Sequence, residues 1–112
     1  MGKFILHRTA DGVKFTLRAG NGQVVVTSVP YFSGPECIIG IRVMKRICPG
    51  AYIEDQTAET YAAEKNPKFE IFLDEEKEFR FCLKDETGDI LLTSGAYGTK
   101  ASCLNGIECL RR

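Results

Sequence analysis

The chain has 112 residues, no net charge at pH 7, 44% hydrophobic residues and 27% charged residues, which is the composition of an ordinary globular domain. This excludes a disordered or low-complexity protein, and no apolar run reaches the length of a membrane span. The first apolar stretch is only three residues long and is followed by His7 and Arg8, whereas a secretory signal peptide has a longer apolar segment. The sequence therefore predicts a cytoplasmic location and no membrane partner.

The first 50 residues predict three strands followed by a helix. Residues 4–8, 13–18 and 23–28 have the alternation or β-branched content of strands, and Asn21-Gly22 is a strong hairpin-turn signal between the last two. Ser33 is placed to cap a helix that runs to about Cys48, where Pro49-Gly50 stops it.

The same pattern recurs later in the chain. A shift of 66 positions aligns residues 13–46 with residues 79–112, and nine of these aligned pairs are identical. The second copy predicts strands at 69–73, 79–84 and 89–94, and a helix capped by Thr99. We therefore expect one domain, residues 1–112, made of a first unit (3–48), a connection (49–67) and a second unit (68–112). Residues 51–55 predict a fourth strand, and Asp55 or Thr57 is placed to cap a short helix through Lys65.

The segment from Tyr97 to Ile107, Tyr-Gly-Thr-Lys-Ala-Ser-Cys-Leu-Asn-Gly-Ile, resembles the YegP family of small bacterial and archaeal proteins, which carry one or two copies of an uncharacterised domain. The first unit diverges, with Gly34-Pro35-Glu36 in place of Lys-Ala-Ser. The resemblance implies an α+β fold in which two tandem units share one antiparallel sheet, exchange their last strands and place both helices on one face. Residues 51–55 would be the exchanged strand of the first unit. Arg112 falls where the second helix would be finishing, so the sequence shows no counterpart to that strand. The resemblance does not imply a particular activity, and the sequence predicts no cofactor.

Catalytic and metal-binding patterns are weak in this sequence. The five cysteines include no C-x-x-C pair, which favours buried apolar side chains over a disulfide framework or a zinc site. His7, the one histidine, lies on a predicted strand without a carboxylate neighbour, as a surface histidine would. The leading hypothesis is a non-enzymatic binding or interaction module with an unknown partner. An enzyme whose site is assembled only in the fold is an alternative.

Two surfaces are candidates for binding. The first is the outward face of the second strand of each unit, which carries Lys14 and Arg18 in one copy and Arg80 and Lys84 in the other. These four cations would hold RNA or another polyanion, although long basic side chains also simply cover exposed sheet faces.

The second candidate surface is an extra apolar row on the first helix, formed by Ile39, Val43 and Ile47. A lone apolar row is expected to be covered. Either the predicted linker helix or a second copy of the chain, forming a homodimer through the first helix, would cover it.

Overall fold

The computed structural model describes residues 2–112, which form an α+β fold of one seven-stranded mixed sheet and two α-helices. The elements in chain order are β1 (Lys3–Thr9), β2 (Gly12–Arg18), β3 (Val24–Ser28), α1 (Gly34–Ile47), β4 (Tyr52–Asp55), β5 (Lys68–Leu73), β6 (Phe79–Lys84), β7 (Ile90–Ser94) and α2 (Lys100–Arg111). A short 3-10 turn, Cys48–Gly50, joins α1 to β4. The predicted fold class is confirmed. No helix within residues 2–112 is long and apolar enough to cross a membrane.

The sheet order is β1-β2-β3-β7-β6-β5-β4. The two three-stranded meanders meet in the middle, where Thr27 of β3 lies opposite Thr93 of β7. The strand that follows α1, β4, crosses over to the second meander and pairs with β5, as the predicted strand exchange requires. This pairing is parallel, so the expectation of a wholly antiparallel sheet is wrong. Residues 56–67 carry the chain back to the starting end of β5, and a return of this kind sets the two strands in the same direction.

The connection itself contains no helix over residues 56–67, so the predicted linker helix is wrong. Asp55 accepts a hydrogen bond from the backbone N–H of Thr57 (2.9 Å), which closes a local turn instead of capping a helix. Further along, the backbone N–H of Glu64 donates to the carboxylate of Glu54 (2.8 Å). The segment is therefore fixed across the outer edge of the sheet by polar contacts with β4.

Both helices pack on one face of the sheet over a single apolar core. The strand positions predicted to face the helices, Phe15, Leu17, Phe81 and Leu83, are all buried. The helix N-caps are also as predicted: Ser33 accepts from the N–H of Glu36, and Thr99 accepts from the N–H of Ser102. Capping satisfies backbone donors that the first helical turn leaves unpaired.

A tyrosine lies between the sheet and each helix and explains a glycine in each helix interior. Tyr97 stacks on Phe81 with ring centroids 6.4 Å apart, and a Cβ added at Gly106 would lie 2.4 Å from the Tyr97 hydroxyl oxygen. Tyr31 meets Gly40 in the same way in the first half of the chain. Glycine is required at these helix positions because the tyrosine ring occupies the space of a side chain.

Candidate functional site

The face of the sheet opposite the helices carries the four cations that the sequence singled out. Lys14 and Arg18 lie on β2, and Arg80 and Lys84 lie on β6. Because β3 and β7 separate these strands, the two pairs are three strand spacings apart, about 14 Å. They are therefore two separate groups of charge.

The cations of the second half are neutralised. Arg80 pairs with Asp74 (Nε to Oδ2, 2.7 Å), and Lys84 pairs with Glu70 (Nζ to Oε2, 3.0 Å). Lys68, next to Lys84 across the β5–β6 ladder, pairs with Glu70 as well, at 3.2 Å. A lysine or arginine already held by a carboxylate offers less to an external anion.

Glu54 of β4 completes this network from the edge of the sheet. Its buried carboxylate accepts hydrogen bonds from Gln56 (2.6 Å), Lys68 (2.8 Å) and the backbone of Glu64 (2.8 Å). These bonds, led by the one from Gln56, lower the pKa of Glu54 to about 2. The hydrogen bond to Glu54 in turn raises the pKa of Lys68. The charges of this half are thus fixed and internally balanced.

The cations of the first half have no such partners. Within residues 2–112, neither Lys14 nor Arg18 lies within ion-pair distance of a carboxylate. The strand register adds two basic groups that sequence reasoning had not joined to this surface: Lys3 lies opposite Arg18, and His7 lies opposite Lys14. The short turn between β1 and β2 fixes that register, so counting back from it would have identified both. We call Lys3, His7, Lys14 and Arg18 the basic edge.

The two halves differ in their carboxylates more than in their basic residues: of the basic edge, only His7 has an apolar counterpart, Phe72. Lys3 opposite Arg18 in the first half occupies the place of Lys68 opposite Lys84 in the second. Ile5 stands where β5 has Glu70, and no strand within residues 2–112 pairs with the outer side of β1, where a counterpart of β4 and its Glu54 would lie. Like charges placed directly opposite each other on a sheet are destabilising. Within the described residues, the basic edge is therefore a cluster of basic side chains without a neighbouring carboxylate.

The apolar row on α1 is covered in part. Ile47 is buried and Val43 is half-buried, whereas Ile39 is 56% exposed. A cleft lined by residues that include Val43, Asp85 and Leu91 runs beside the row, so the cover comes from the β6–β7 hairpin and not from a linker helix. The predicted homodimer through α1 stays a prediction.

Most of the thiols lie in the core, away from solvent. Four of the five cysteines are buried, as predicted, and Cys109 is half-buried. Burial raises the pKa of Cys48 to about 12 and that of Cys103 to about 11, which keeps both as thiols. Within the described part of the chain, no group of three or more His, Cys, Asp or Glu side chains is placed to hold a metal ion.

These features define a small α+β protein in which two similar three-stranded meanders, each with a helix, share one sheet. The chain belongs to the family described as "Domain of unknown function (DUF1508)", whose model matches residues 9–55 and 74–112, one segment in each half. A UPF0339 protein of Treponema denticola is 47% identical over 45 residues, which cover 40% of this chain and 78% of the relative. A UPF0339 protein of Pseudomonas aeruginosa is 24% identical over 98% of this chain and 87% of its own length.

Solved structures agree with this assignment. The solution structure of yegP from E. coli, a protein of unknown function, is similar to this chain with a TM-score of 0.74 and 26% identity, over 98% of this chain and 83% of yegP. A UPF0339 protein from Shewanella oneidensis shares the fold with the same TM-score. The YegP-like resemblance is therefore confirmed. The descriptions of these proteins state no activity.

Proposed function

We propose that this chain is a non-enzymatic binding module that holds an acidic partner at the basic edge. The observation that carries the proposal is the contrast between the two equivalent cation pairs. Lys68 and Lys84 are neutralised by Glu54 and Glu70, whereas Lys3 and Arg18 lack a carboxylate. A carboxylate delivered by a partner would form charge-assisted hydrogen bonds at a place where like charges now repel.

The chemistry of the fold supports carboxylate over phosphate as the anion. The second half holds its equivalent cations with two glutamates. Single-stranded nucleic acids are held by aromatic side chains on which bases stack, and the outward positions of β1 and β2 carry Ile5 and Thr16 between the basic residues. RNA bound at this face is the alternative that the experiment must exclude. The proposal includes a cytoplasmic location, which five free cysteines support.

The test measures binding of fluorescein-labelled poly-L-glutamate by fluorescence anisotropy over a series of salt concentrations. Binding is expected to weaken with salt and to become about tenfold weaker or more in the double variant Lys3→Gln/Arg18→Gln, because charge-assisted hydrogen bonds are lost. The matched control is Arg42→Gln/Arg46→Gln, which removes the same charge from exposed positions of α1 and is expected to bind like the unmodified chain.

Three results would contradict the proposal. The first is the absence of binding at low salt, and the second is equal loss in both double variants, which would indicate nonspecific attraction. The third is tighter binding of single-stranded RNA of matched length, lost in Lys3→Gln/Arg18→Gln, which would assign the surface to nucleic acid.

A further inference from the structure

The outer side of β1 is an unpaired strand edge with apolar side chains exposed along it. Ile5 is 39% exposed and Leu6 is 38% exposed. At the opposite end of the sheet, the residues equivalent to Phe4 and Leu6 are Phe69 and Ile71, and both are fully buried. The difference arises because β4 lies against β5 while no strand within residues 2–112 lies against β1. A long apolar edge of this kind is a ready template for another strand.

A groove runs beside this edge on the helix side of the sheet. It has a volume of about 190 Å³, and its walls are Phe4, Leu17, Met44, Lys45, Cys109, Leu110 and Arg112. At the opposite end of the sheet, the chain entering β4 lies beside α2: Ala51 is buried and Arg111 donates a hydrogen bond to its carbonyl oxygen. The groove therefore has the position and lining of a site for an extended segment that begins with a small residue.

The basic side chain that would hold such a segment is already in place. Arg111 lies over the ring of Phe69, 5.9 Å from its centroid, while it binds the Ala51 carbonyl. Lys45 occupies the equivalent place on α1 and lies over the ring of Phe4, 5.0 Å from its centroid. Lys45 makes no ion pair within residues 2–112. Its ammonium group is placed to donate to a carbonyl of the incoming chain.

We propose that β1 accepts an extended acidic segment of a partner protein as an additional parallel strand, with a backbone carbonyl on Lys45 and a carboxylate on Lys3. The inference rests on the proposed function, since it uses the same basic edge as the anchor for the partner. The strand β4 shows the chemistry required: a small residue at Ala51, an apolar one at Ile53 and a carboxylate at Glu54, which Lys68 binds. In β1, Lys3 stands in the place of Lys68.

The orientation and hydrogen bonding of the added strand follow from the same comparison. The N–H of Gln56 donates to the carbonyl of Ile71, so Ile71 directs its backbone towards β4. Leu6 is the equivalent residue of β1, and alternate residues of a strand share one edge. The backbone groups of Leu6 and Phe4 therefore point outward and are expected to pair with the partner segment.

The probe is a peptide that reproduces residues 48–56 with Ser in place of Cys48, compared with a scrambled peptide of the same composition. On the ¹⁵N-labelled full chain, we expect slower amide hydrogen exchange at Leu6 and slower alkylation of Cys109 by iodoacetamide, since Cys109 lines the groove. A spin label on the peptide N-terminus should broaden the amide signals near Lys3 more than those near Thr9, as a parallel strand requires. Lys45→Met, which keeps the stem over Phe4 but removes the ammonium, should weaken binding about tenfold, whereas Arg42→Met should leave it unchanged.

The outcomes separate this inference from the proposed function. If poly-L-glutamate binds the basic edge but the peptide changes neither Leu6 exchange nor Cys109 alkylation, strand addition is overturned and the proposed function survives. Changes at Ile71 in place of Leu6 would mean that the peptide displaces β4, and this would also overturn the inference. If sedimentation shows a dimer that the peptide does not dissociate, and the Leu6 amide is already protected from exchange in that dimer, the edge belongs to a second copy and the proposal is wrong.

Discussion

Replacing Gly106 with alanine should destabilise the protein, even though alanine is the better helix former. The new Cβ would lie 2.4 Å from the Tyr97 hydroxyl oxygen and 3.2 Å from Cε2 of Phe81, both closer than ordinary van der Waals contact. Alanine stabilises a helix interior by about 1 kcal/mol relative to glycine, whereas overpacking a filled core costs about 1–3 kcal/mol. The net expectation is a loss of about 1 kcal/mol, or roughly 4 °C in the melting temperature of a domain of this size.

The tyrosine hydroxyl is the closest obstacle, so its removal should relieve the strain. Gly106→Ala in a Tyr97→Phe background should cost less than in the unmodified chain, with a coupling energy of about 1 kcal/mol in a double-mutant cycle. The control is Gly34→Ala at the start of α1, where an added Cβ meets nothing within 4 Å, and which should be neutral or stabilising. Thermal melts of the five proteins test this. A Gly106→Ala chain that melts higher than the unmodified chain would refute the argument that the ring excludes a side chain.

Three further predictions concern a carboxylate, the apolar row of α1 and the thiols. The pKa of Glu54 is lowered to about 2, so its ionised carboxylate contributes about 3 kcal/mol at most to the free energy of unfolding. This contribution is complete above pH 4.5 and is lost as the pH falls towards 2. In urea unfolding, the stability of Glu54→Gln should therefore depend less on acid pH than that of the unmodified chain, and an equal dependence would contradict this. Val43→Asp should lower the melting temperature more than Val43→Lys, because Asp85 lines the same cleft and would repel a second carboxylate. Sedimentation of the unmodified chain and of Val43→Asp tests the homodimer predicted through α1. If the unmodified chain is a single monomeric species at high concentration, that homodimer is excluded. Alkylation of the folded protein should modify Cys109 first, since the other four cysteines are buried, and rapid modification of several thiols would show that the core opens.

The strands, helices and helix caps could be predicted because they depend on neighbouring residues. The alternation over residues 13–18 and 79–84, the hairpin turn at Asn21-Gly22 and the capping hydroxyls of Ser33 and Thr99 are local signals, and the structure bears them out. Gly40 and Gly106 recur at matching places of the repeat inside the two helices, which indicates that the helix backbone closely approaches a neighbouring group. The neighbouring group is a tyrosine three residues beyond the third strand of each half.

The charge distribution on the open face could be predicted from local signals only in part. Glu54 reaches Lys68 only because β4 crosses to the far edge of the sheet and residues 56–67 return beside it, whereas Lys68 and Glu70 are neighbours on β5. Sequence reasoning treated the four cations at 14, 18, 80 and 84 as equivalent. The β5–β6 hairpin supplies Asp74 to Arg80 and Glu70 to Lys84, whereas the β1–β2 hairpin has Ile5 in the place of Glu70. Only the contribution of Glu54 depends on the strand order.

The basic residues of β1, Lys3, His7 and Arg8, should also act as a barrier to aggregation. An exposed apolar edge normally invites a second sheet, and proteins protect such edges with charge, lysine in particular. In β1 the sequence Lys-Phe-Ile-Leu-His-Arg contains no acidic residue, so two molecules meeting edge to edge bring positive charge against positive charge. Salt screens this repulsion, with a Debye length of about 10 Å at 0.1 M and about 3 Å at 1 M. High ionic strength should therefore lower the affinity for the proposed acidic partner and promote self-association at the same edge. The salt concentration would then determine whether β1 binds selectively or associates with other copies of the chain.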